Sequence, residues 1–261
     1  MSDAHGAGPD EPSPDGVPPD GVPPDRAPPD DLDLARTIRP GLDILGNTIV
    51  IALKRRARFA VNAAVYAPGL VRGSPGTTLL EHALGGVERL HAELGRYTFA
   101  AQDAFTDVAG VEPVIVREMP ASPVAPMPSG LGPRLLAFHR EWVGAVCRPG
   151  EEPATYGETV TADVDALLAI MERVNLGKPV AESKFREHRE ALVATGGERE
   201  PMLAYIVRPE REAEVLARAE RLAERYDLPP APVRRAFEFM IGATVDLEVE
   251  YLRRRIAGGA S

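Results

Sequence analysis

The chain has 261 residues, 44% of them hydrophobic, a single cysteine and a formal net charge of −9 at pH 7. Its apolar runs all fall short of the roughly 20 residues that a membrane-spanning helix needs, and the lone Cys147 excludes an intramolecular disulfide. With no basic and apolar leader at the N-terminus, we expect a cytoplasmic protein without a membrane partner.

The N-terminal stretch differs in composition from the rest of the chain. Residues 1–33 contain nine acidic residues and Arg26, so this stretch carries −8 of the net charge, and a Pro-Asp unit recurs every five residues from Asp15 to Asp30. Closely spaced prolines prevent regular helix or strand pairing. We predict a disordered, acidic, Pro-rich tail over 1–31 and an all-α domain over 32–257. Neither part has a basic face, so no nucleic-acid partner is expected.

After Leu32 the apolar residues recur with the 3.6-residue period of helices. The pattern predicts helices at 42–59, 77–96, 133–146, 161–187, 210–226 and 230–255. The Pro-rich stretch 110–133 and the Gly196-Gly197 pair predict loops. Residues 114–116, outside the helical segments, form a short β-branched run, which is too short for a sheet. The sequence therefore predicts an all-α helical bundle.

Four polar residues occupy positions that the helical period assigns to the core. Arg173 and Lys184, eleven residues apart, share one stripe, and Thr244 and Glu248 share a stripe of the last helix. Buried cations are costly unless an anion meets them. A buried ion-pair network would explain one such residue. Four of them on two helices favour a polar pocket for an anionic ligand.

The chain lacks the common motifs of cofactor and covalent chemistry. It contains no Gly-rich phosphate loop, no zinc-type spacing of Cys and His, and no nucleophile elbow, and its five histidines fall outside the polar stripes. We expect no metal and no cofactor. The remaining Arg, Lys, Glu and Thr side chains suit anion binding and the stabilisation of developing charge.

Several segments resemble the eukaryotic-type, all-helical chorismate mutases, in the expected order from Leu32 to Arg255. The segments that carry the resemblance are Ile38-Arg39, Phe59, Val65-Tyr66, Tyr156-Gly157-Glu158-Thr159, 163–168, 173–185 and 248–254. The resemblance implies a helical bundle built as a fused pseudo-repeat, with one working site formed largely by the C-terminal half. It also implies a homodimer.

The reaction that the resemblance implies is the cofactor-free rearrangement of chorismate, a small dianion, to prephenate. Arg39 and Arg173 would bind the carboxylates, with Thr244 assisting. Lys184 and a protonated Glu248 would donate to the ether oxygen, because an ionised carboxylate only accepts. By the same resemblance, Glu212 would accept from the ring hydroxyl.

Two arginines near Glu212 depart from the family pattern. Arg208 stands one turn earlier, where the family has a small polar residue, and Arg211 is reminiscent of the Arg-Glu pair in short bacterial chorismate mutases. Both are candidates for substrate binding. Arg208 is either a solvent-facing cation or a residue that alters substrate choice.

Two prolines affect the predicted site. Pro179 lies between Arg173 and Lys184 in the predicted helix. It cannot donate to the Asn175 carbonyl, so it should kink that helix. Pro40 disfavours a helical conformation at Arg39, which places Arg39 at a helix entrance. Arg36 is the substitute carboxylate-binding residue if the register shifts.

The residues that match the family's effector site for aromatic amino acids are Gly157-Glu158 and Gly95-Arg96. Glu158 would repel an incoming carboxylate and one arginine is absent, so we expect weak feedback control.

Two alternatives to chorismate mutase stay open. One is a mutase or pyruvate lyase acting on 4-amino-4-deoxychorismate or isochorismate; the other is a non-catalytic helical binding or regulatory subunit.

Overall fold

The computed structural model describes residues 38–119 and 121–258, and within these ranges the chain is all-α without a β-strand, as predicted. Its α-helices are α1 (Arg39–Arg56), α2 (Leu79–Glu93), α3 (Gly132–Val146), α4 (Tyr156–Asn175), α5 (Gly177–Glu187), α6 (Arg189–Ala194), α7 (Arg199–Ile206), α8 (Pro209–Arg225) and α9 (Pro230–Gly258). The predicted tail and Arg36 lie outside the described residues. No helix within these ranges is both long and apolar enough to cross a membrane.

The helix predicted at 161–187 begins earlier and is interrupted. It starts at Tyr156 and divides at Leu176 into α4 and α5. The division follows from Pro179, which has no N–H to donate to the Asn175 carbonyl and instead occupies the first turn of α5, where that donor is not needed. The kink therefore lies between Arg173 and Lys184, as the proline predicts.

The start of α1 differs in one respect from the sequence-based expectation. Arg39 is the first residue of α1 and is helical, although it precedes Pro40. Pro40 places a steric restriction on the backbone of Arg39. The helix tolerates Pro40 here because a proline in the first turn loses no intrahelical hydrogen bond. Arg39 lies at the helix entrance, as expected.

The core forms mainly between α1, α4, α5, α8 and α9, and most of its apolar residues belong to one cluster. A smaller cluster lies between α2 and α4 and includes Leu84 and Val164. The sequence did not predict α6 and α7, which have six and eight residues. Leu192, Met202 and Ile206 of these helices are buried. Such short elements owe their helicity to packing, so they give little periodic signal.

A charged network is buried beside the main core. Asp163 accepts hydrogen bonds from Arg56 Nε and, at 2.8 Å, from the Tyr66 hydroxyl, and its Oδ1 lies 2.7 Å from His139 Nε2. The side chains of Arg56 and Asp163 are fully buried. Cys147 accepts from the same guanidinium at 3.3 Å, and burial raises the pKa of its thiol. Cys147 is thus a buried core residue, as the sequence indicates.

We predict that Asp163→Asn lowers the free energy of unfolding by about 3 kcal/mol, because it leaves the guanidinium of Arg56 buried without its counter-ion. Urea denaturation measures this change. The matched control is Asp165→Asn, which breaks a 2.6 Å pair with the half-exposed Arg55. That variant should lose less than about 1 kcal/mol. Equal losses in the two variants would contradict the importance of the buried pair.

Candidate active site

One pocket of about 370 Å³ brings the predicted site residues together. Helices α1, α4, α5, α8 and α9 line it. Eight predicted residues belong to this lining, namely Arg39, Arg173, Lys184, Arg208, Arg211, Glu212, Thr244 and Glu248. Arg36, the ninth, lies outside the described residues. The polar stripes recognised in the sequence therefore face one cavity.

Arg173, in the last turn of α4, places a guanidinium in this pocket. The residue is only 6% exposed, and it forms no hydrogen bond or ion pair with any residue of 38–119 or 121–258. Its Cζ lies 5.6 Å from the ring centroid of Phe237. Burial lowers the pKa of Arg173 to about 10, and the charge of Asp43 opposes that shift. The side chain therefore remains a cation at neutral pH and is available to an anion.

Lys184 of α5 and Glu248 of α9 form a buried ion pair. Lys184 Nζ lies 2.9 Å from Glu248 Oε2 and also donates to the Ile206 carbonyl at 3.0 Å. Burial raises the pKa of Glu248, the charge of Glu212 adds to that rise, and Lys184 opposes it. An ion pair therefore explains why Lys184 and Glu248 occupy core positions. The burial of Arg173 requires a different explanation.

Thr244 lies on α9, one turn before Glu248. Its hydroxyl donates to the Met240 carbonyl at 2.8 Å. To donate to a ligand carboxylate, the hydroxyl must rotate away from its own helix. Its γ-methyl packs directly on α5, since a Cβ at Gly177 would lie only 3.0 Å away from it.

Arg208 lines the pocket, and one end of its guanidinium is occupied. Its Nη1 donates to the carbonyls of Ala204 and Val207 at 2.9 and 3.0 Å. These carbonyls belong to the C-terminal end of α7, where the helix dipole favours a cation. Arg208 is therefore tied to α7 through Nη1, although the residue as a whole is exposed.

Three charged residues of the lining, Asp43, Glu187 and Arg218, were not identified by sequence analysis. Asp43 Oδ1 lies 2.9 Å from Arg218 Nη1 and 3.8 Å from Arg211 Nη2. Asp43 follows Arg39 by four residues, and Arg218 follows Arg211 by seven, so helical spacing places each pair on one face. This spacing was the available signal. It gains meaning only because α1 and α8 are neighbours in the fold.

The lining carries an excess of positive charge. Its cations are Arg39, Arg173, Lys184, Arg208, Arg211 and Arg218. Its carboxylates are Asp43, Glu187, Glu212 and Glu248. With His188 neutral and all carboxylates ionised, six cations against four anions leave +2. A dianion of matching size would neutralise this charge.

The residues compared with an effector site do not meet within one chain. Glu158 lines a surface depression with Arg55 and Arg58, whereas Arg96 pairs with Glu172 at 2.8 Å on another surface. Gly95 has a φ of +82°, and a Cβ there would lie 2.8 Å from Arg117 Nη2. The backbone therefore favours glycine at the position where the resemblance would place an arginine.

The chain is similar in sequence to known chorismate mutases. Residues 156–249 match the family model for chorismate mutase type II. The chain is 29% identical to the chorismate mutase of Emericella nidulans, covering 87% of this chain and 94% of that protein. It is 26% identical to chorismate mutase 2 of Arabidopsis thaliana, with coverages of 84% and 92%.

Solved structures extend the similarity to the fold. The structure of the Candida albicans chorismate mutase in complex with L-tryptophan matches with a TM-score of 0.80 at 26% identity. The match covers 87% of this chain and 92% of that one. The chain therefore has the fold of the all-helical chorismate mutases and matches the chorismate mutase family model over residues 156–249.

Proposed function

We propose that this protein converts chorismate to prephenate without a cofactor, as a step in aromatic amino acid biosynthesis or related secondary metabolism. The observation that carries the proposal is that one pocket contains a buried Lys184–Glu248 pair and Arg173, which has no hydrogen-bond or ion-pair partner among the described residues. The excess positive charge of the lining suits a substrate with two carboxylates.

The proposed reaction needs no nucleophile. Within one molecule the ether C–O bond breaks while a new C–C bond forms, so atoms and electrons balance without a co-reactant. Negative charge develops on the ether oxygen as its bond to the ring breaks. Catalysis therefore consists of holding the substrate in a compact, chair-like geometry and stabilising that charge.

The pocket supplies cations for both tasks. Arg173 from α4 and Arg39 from α1 would bind the two carboxylates, and Thr244 would assist at the ring carboxylate after its hydroxyl rotates. Lys184 would donate to the ether oxygen, with the Ile206 carbonyl holding its ammonium in place. Glu212, in the first turn of α8, would accept from the ring hydroxyl.

Glu248 would donate to the same ether oxygen in its protonated form. Burial already raises the pKa of this carboxyl. A bound dianion beside it raises the pKa further, because a neighbouring negative charge disfavours ionisation. When the substrate enters, the ether oxygen would replace the Glu248 carboxylate as the acceptor for Lys184.

The residues that line the pocket also bear on the two alternatives to chorismate mutase. A 4-amino substituent, when protonated, would add a cation to a lining that already has Arg208 and Arg211 near Glu212. This arrangement favours a hydroxylated ring over an aminated one. The prolines that motivated a non-catalytic subunit begin α1 and α5 without removing Arg39, Arg173 or Lys184 from the pocket.

The deciding experiment is incubation of the purified protein with chorismate, with prephenate and pyruvate measured separately. Prephenate formation supports the proposal. Pyruvate would instead identify a lyase, and isochorismate and 4-amino-4-deoxychorismate should be assayed in parallel. No product from any of the three would favour the binding or regulatory subunit.

We further propose a cytoplasmic homodimer that binds a small dianion and neither nucleic acid nor membrane. The family resemblance supports the dimer. An effector site that combined Glu158 and Arg96 would need a second copy, because these residues line separate surfaces of one chain. Light scattering measures the mass in solution, and a monomeric value would contradict the dimer.

We predict that Lys184→Ala and Arg173→Ala each lower turnover of chorismate by roughly 10²- to 10³-fold, because each removes a preorganised donor to substrate charge. Steady-state kinetics checks this, and circular dichroism should show native helicity. Lys54→Ala is the control, since Lys54 pairs with Asp227 away from the pocket. Near-parental activity in either pocket variant would overturn the proposed site.

We predict that activity is highest at low pH and falls as pH rises through the pKa of Glu248 in the substrate complex. The protonated carboxyl donates, and ionisation removes the donor. Glu248→Gln keeps a donor at every pH and should flatten the fall. A profile of kcat against pH for both proteins tests this. Superimposable profiles would assign the titration to another group.

We predict that tyrosine and tryptophan change the rate less than about twofold. Glu158 would repel the carboxylate of either amino acid, and Gly95 offers no side chain to bind it. Each amino acid should be titrated at subsaturating chorismate. A several-fold response would contradict the prediction and indicate an effector site built from other residues, such as Arg96 and Arg148.

A further inference from the structure

We propose that Phe237 is the positioning residue of Arg173, and that the face of an aromatic ring holds this guanidinium where an acidic side chain would otherwise do so. The inference deepens the proposed function, on which it rests, and assigns a role to a residue outside the predicted catalytic set. Phe237 would act on the substrate only through Arg173.

The geometry places the two side chains together inside the pocket. Arg173 Cζ lies 5.6 Å from the ring centroid of Phe237, within the range of cation–π attraction. Both residues are buried, with exposures of 6% for Arg173 and 2% for Phe237. Among the described residues Arg173 has no hydrogen-bond or ion-pair partner, and its Nε is shielded from solvent. The ring face therefore offers an attractive contact to a guanidinium that has no hydrogen-bond or ion-pair partner among the described residues.

The ring itself is held by α1. A Cβ placed on Gly46 would lie 3.7 Å from Phe237 Cε1 and 4.0 Å from Cζ, so one edge of the ring faces the α1 backbone. Phe237 belongs to α9, Arg173 to α4 and Gly46 to α1. The ring thus fixes the guanidinium at the meeting point of three helices.

An aromatic face and a carboxylate would hold the guanidinium with different consequences. A carboxylate partner would neutralise Arg173 and compete with a substrate carboxylate for the same N–H groups. The ring attracts the cation through its quadrupole and leaves all five N–H donors free of an anion. Phe237 therefore orients Arg173 while preserving its charge for the ligand.

The test uses Phe237→Leu, which removes the aromatic face, and Phe237→Tyr, which keeps it. We expect Phe237→Leu to raise the KM for chorismate about tenfold, because the guanidinium is held less firmly against the substrate carboxylate. The kcat should fall far less than in Arg173→Ala, because the donor itself is retained. Phe237→Tyr should recover most of the lost affinity. An unchanged KM in Phe237→Leu would overturn the proposal, and so would equal losses in the two variants.

A double-mutant cycle separates positioning from a structural role. In the Arg173→Ala background Phe237→Leu should have no further effect on ligand affinity, since the residue it positions is absent. An undiminished effect in that background would overturn the proposal. Phe239→Leu is the matched control, because the ring of Phe239 in α9 lies 5.3 Å from Arg134 Cζ outside the pocket. It should leave affinity unchanged.

Calorimetric binding of prephenate makes the inference independent of turnover. The same cycle measured as Kd for this dicarboxylate tests Phe237 even if chorismate is not converted. Coupled losses without turnover would support the positioning role while contradicting the proposed function. If Phe237→Leu does not fold, Phe237→Met replaces it, because Met also fills the space without an aromatic face. Additive or absent effects on prephenate binding would reject the inference.

Discussion

The desolvation of Arg173 is the constraint around which the pocket is organised. Removing a guanidinium from water costs free energy that an ion pair usually offsets. Among the described residues the charge of Asp43 offsets part of this cost, and we propose that the ring face of Phe237 offsets another part. Packing of the core around α4 and α9 must supply the rest of the free energy that keeps Arg173 desolvated. A bound anion would lower that desolvation cost. Stability and ligand binding are thus linked at one side chain.

Other buried cations in the chain are treated differently. Arg56 pairs with Asp163, and Lys178 lies 2.8 Å from Asp103. These pairs anchor α4 to α1 and the loop before α3 to α5. Lys184 in the pocket is likewise paired, with Glu248. Arg173 differs from all three cations, because it has no hydrogen-bond or ion-pair partner among the described residues.

The sequence predicted the fold and part of the pocket because both depend on local spacing. Helical periodicity alone placed the polar residues of α4, α5 and α9 on inward faces. Arg39 and Glu212 came only from family resemblance, and the pocket includes them. Asp43, Arg218 and Phe237 escaped, because their importance comes from neighbours on other helices. The short helices α6 and α7 escaped since tertiary packing, rather than periodicity, stabilises them.

The close approach of Gly177 to Thr244 has a consequence for how the two halves of the pocket are spaced. A single methyl group on Gly177 would lie 3.0 Å from Thr244 Cγ2 and 3.5 Å from Leu247 Cδ2. It would act as a wedge between α5, which carries Lys184, and α9, which carries Glu248. The absence of a side chain at Gly177 therefore allows α5 and α9 to approach this closely, and their separation sets the width of the pocket.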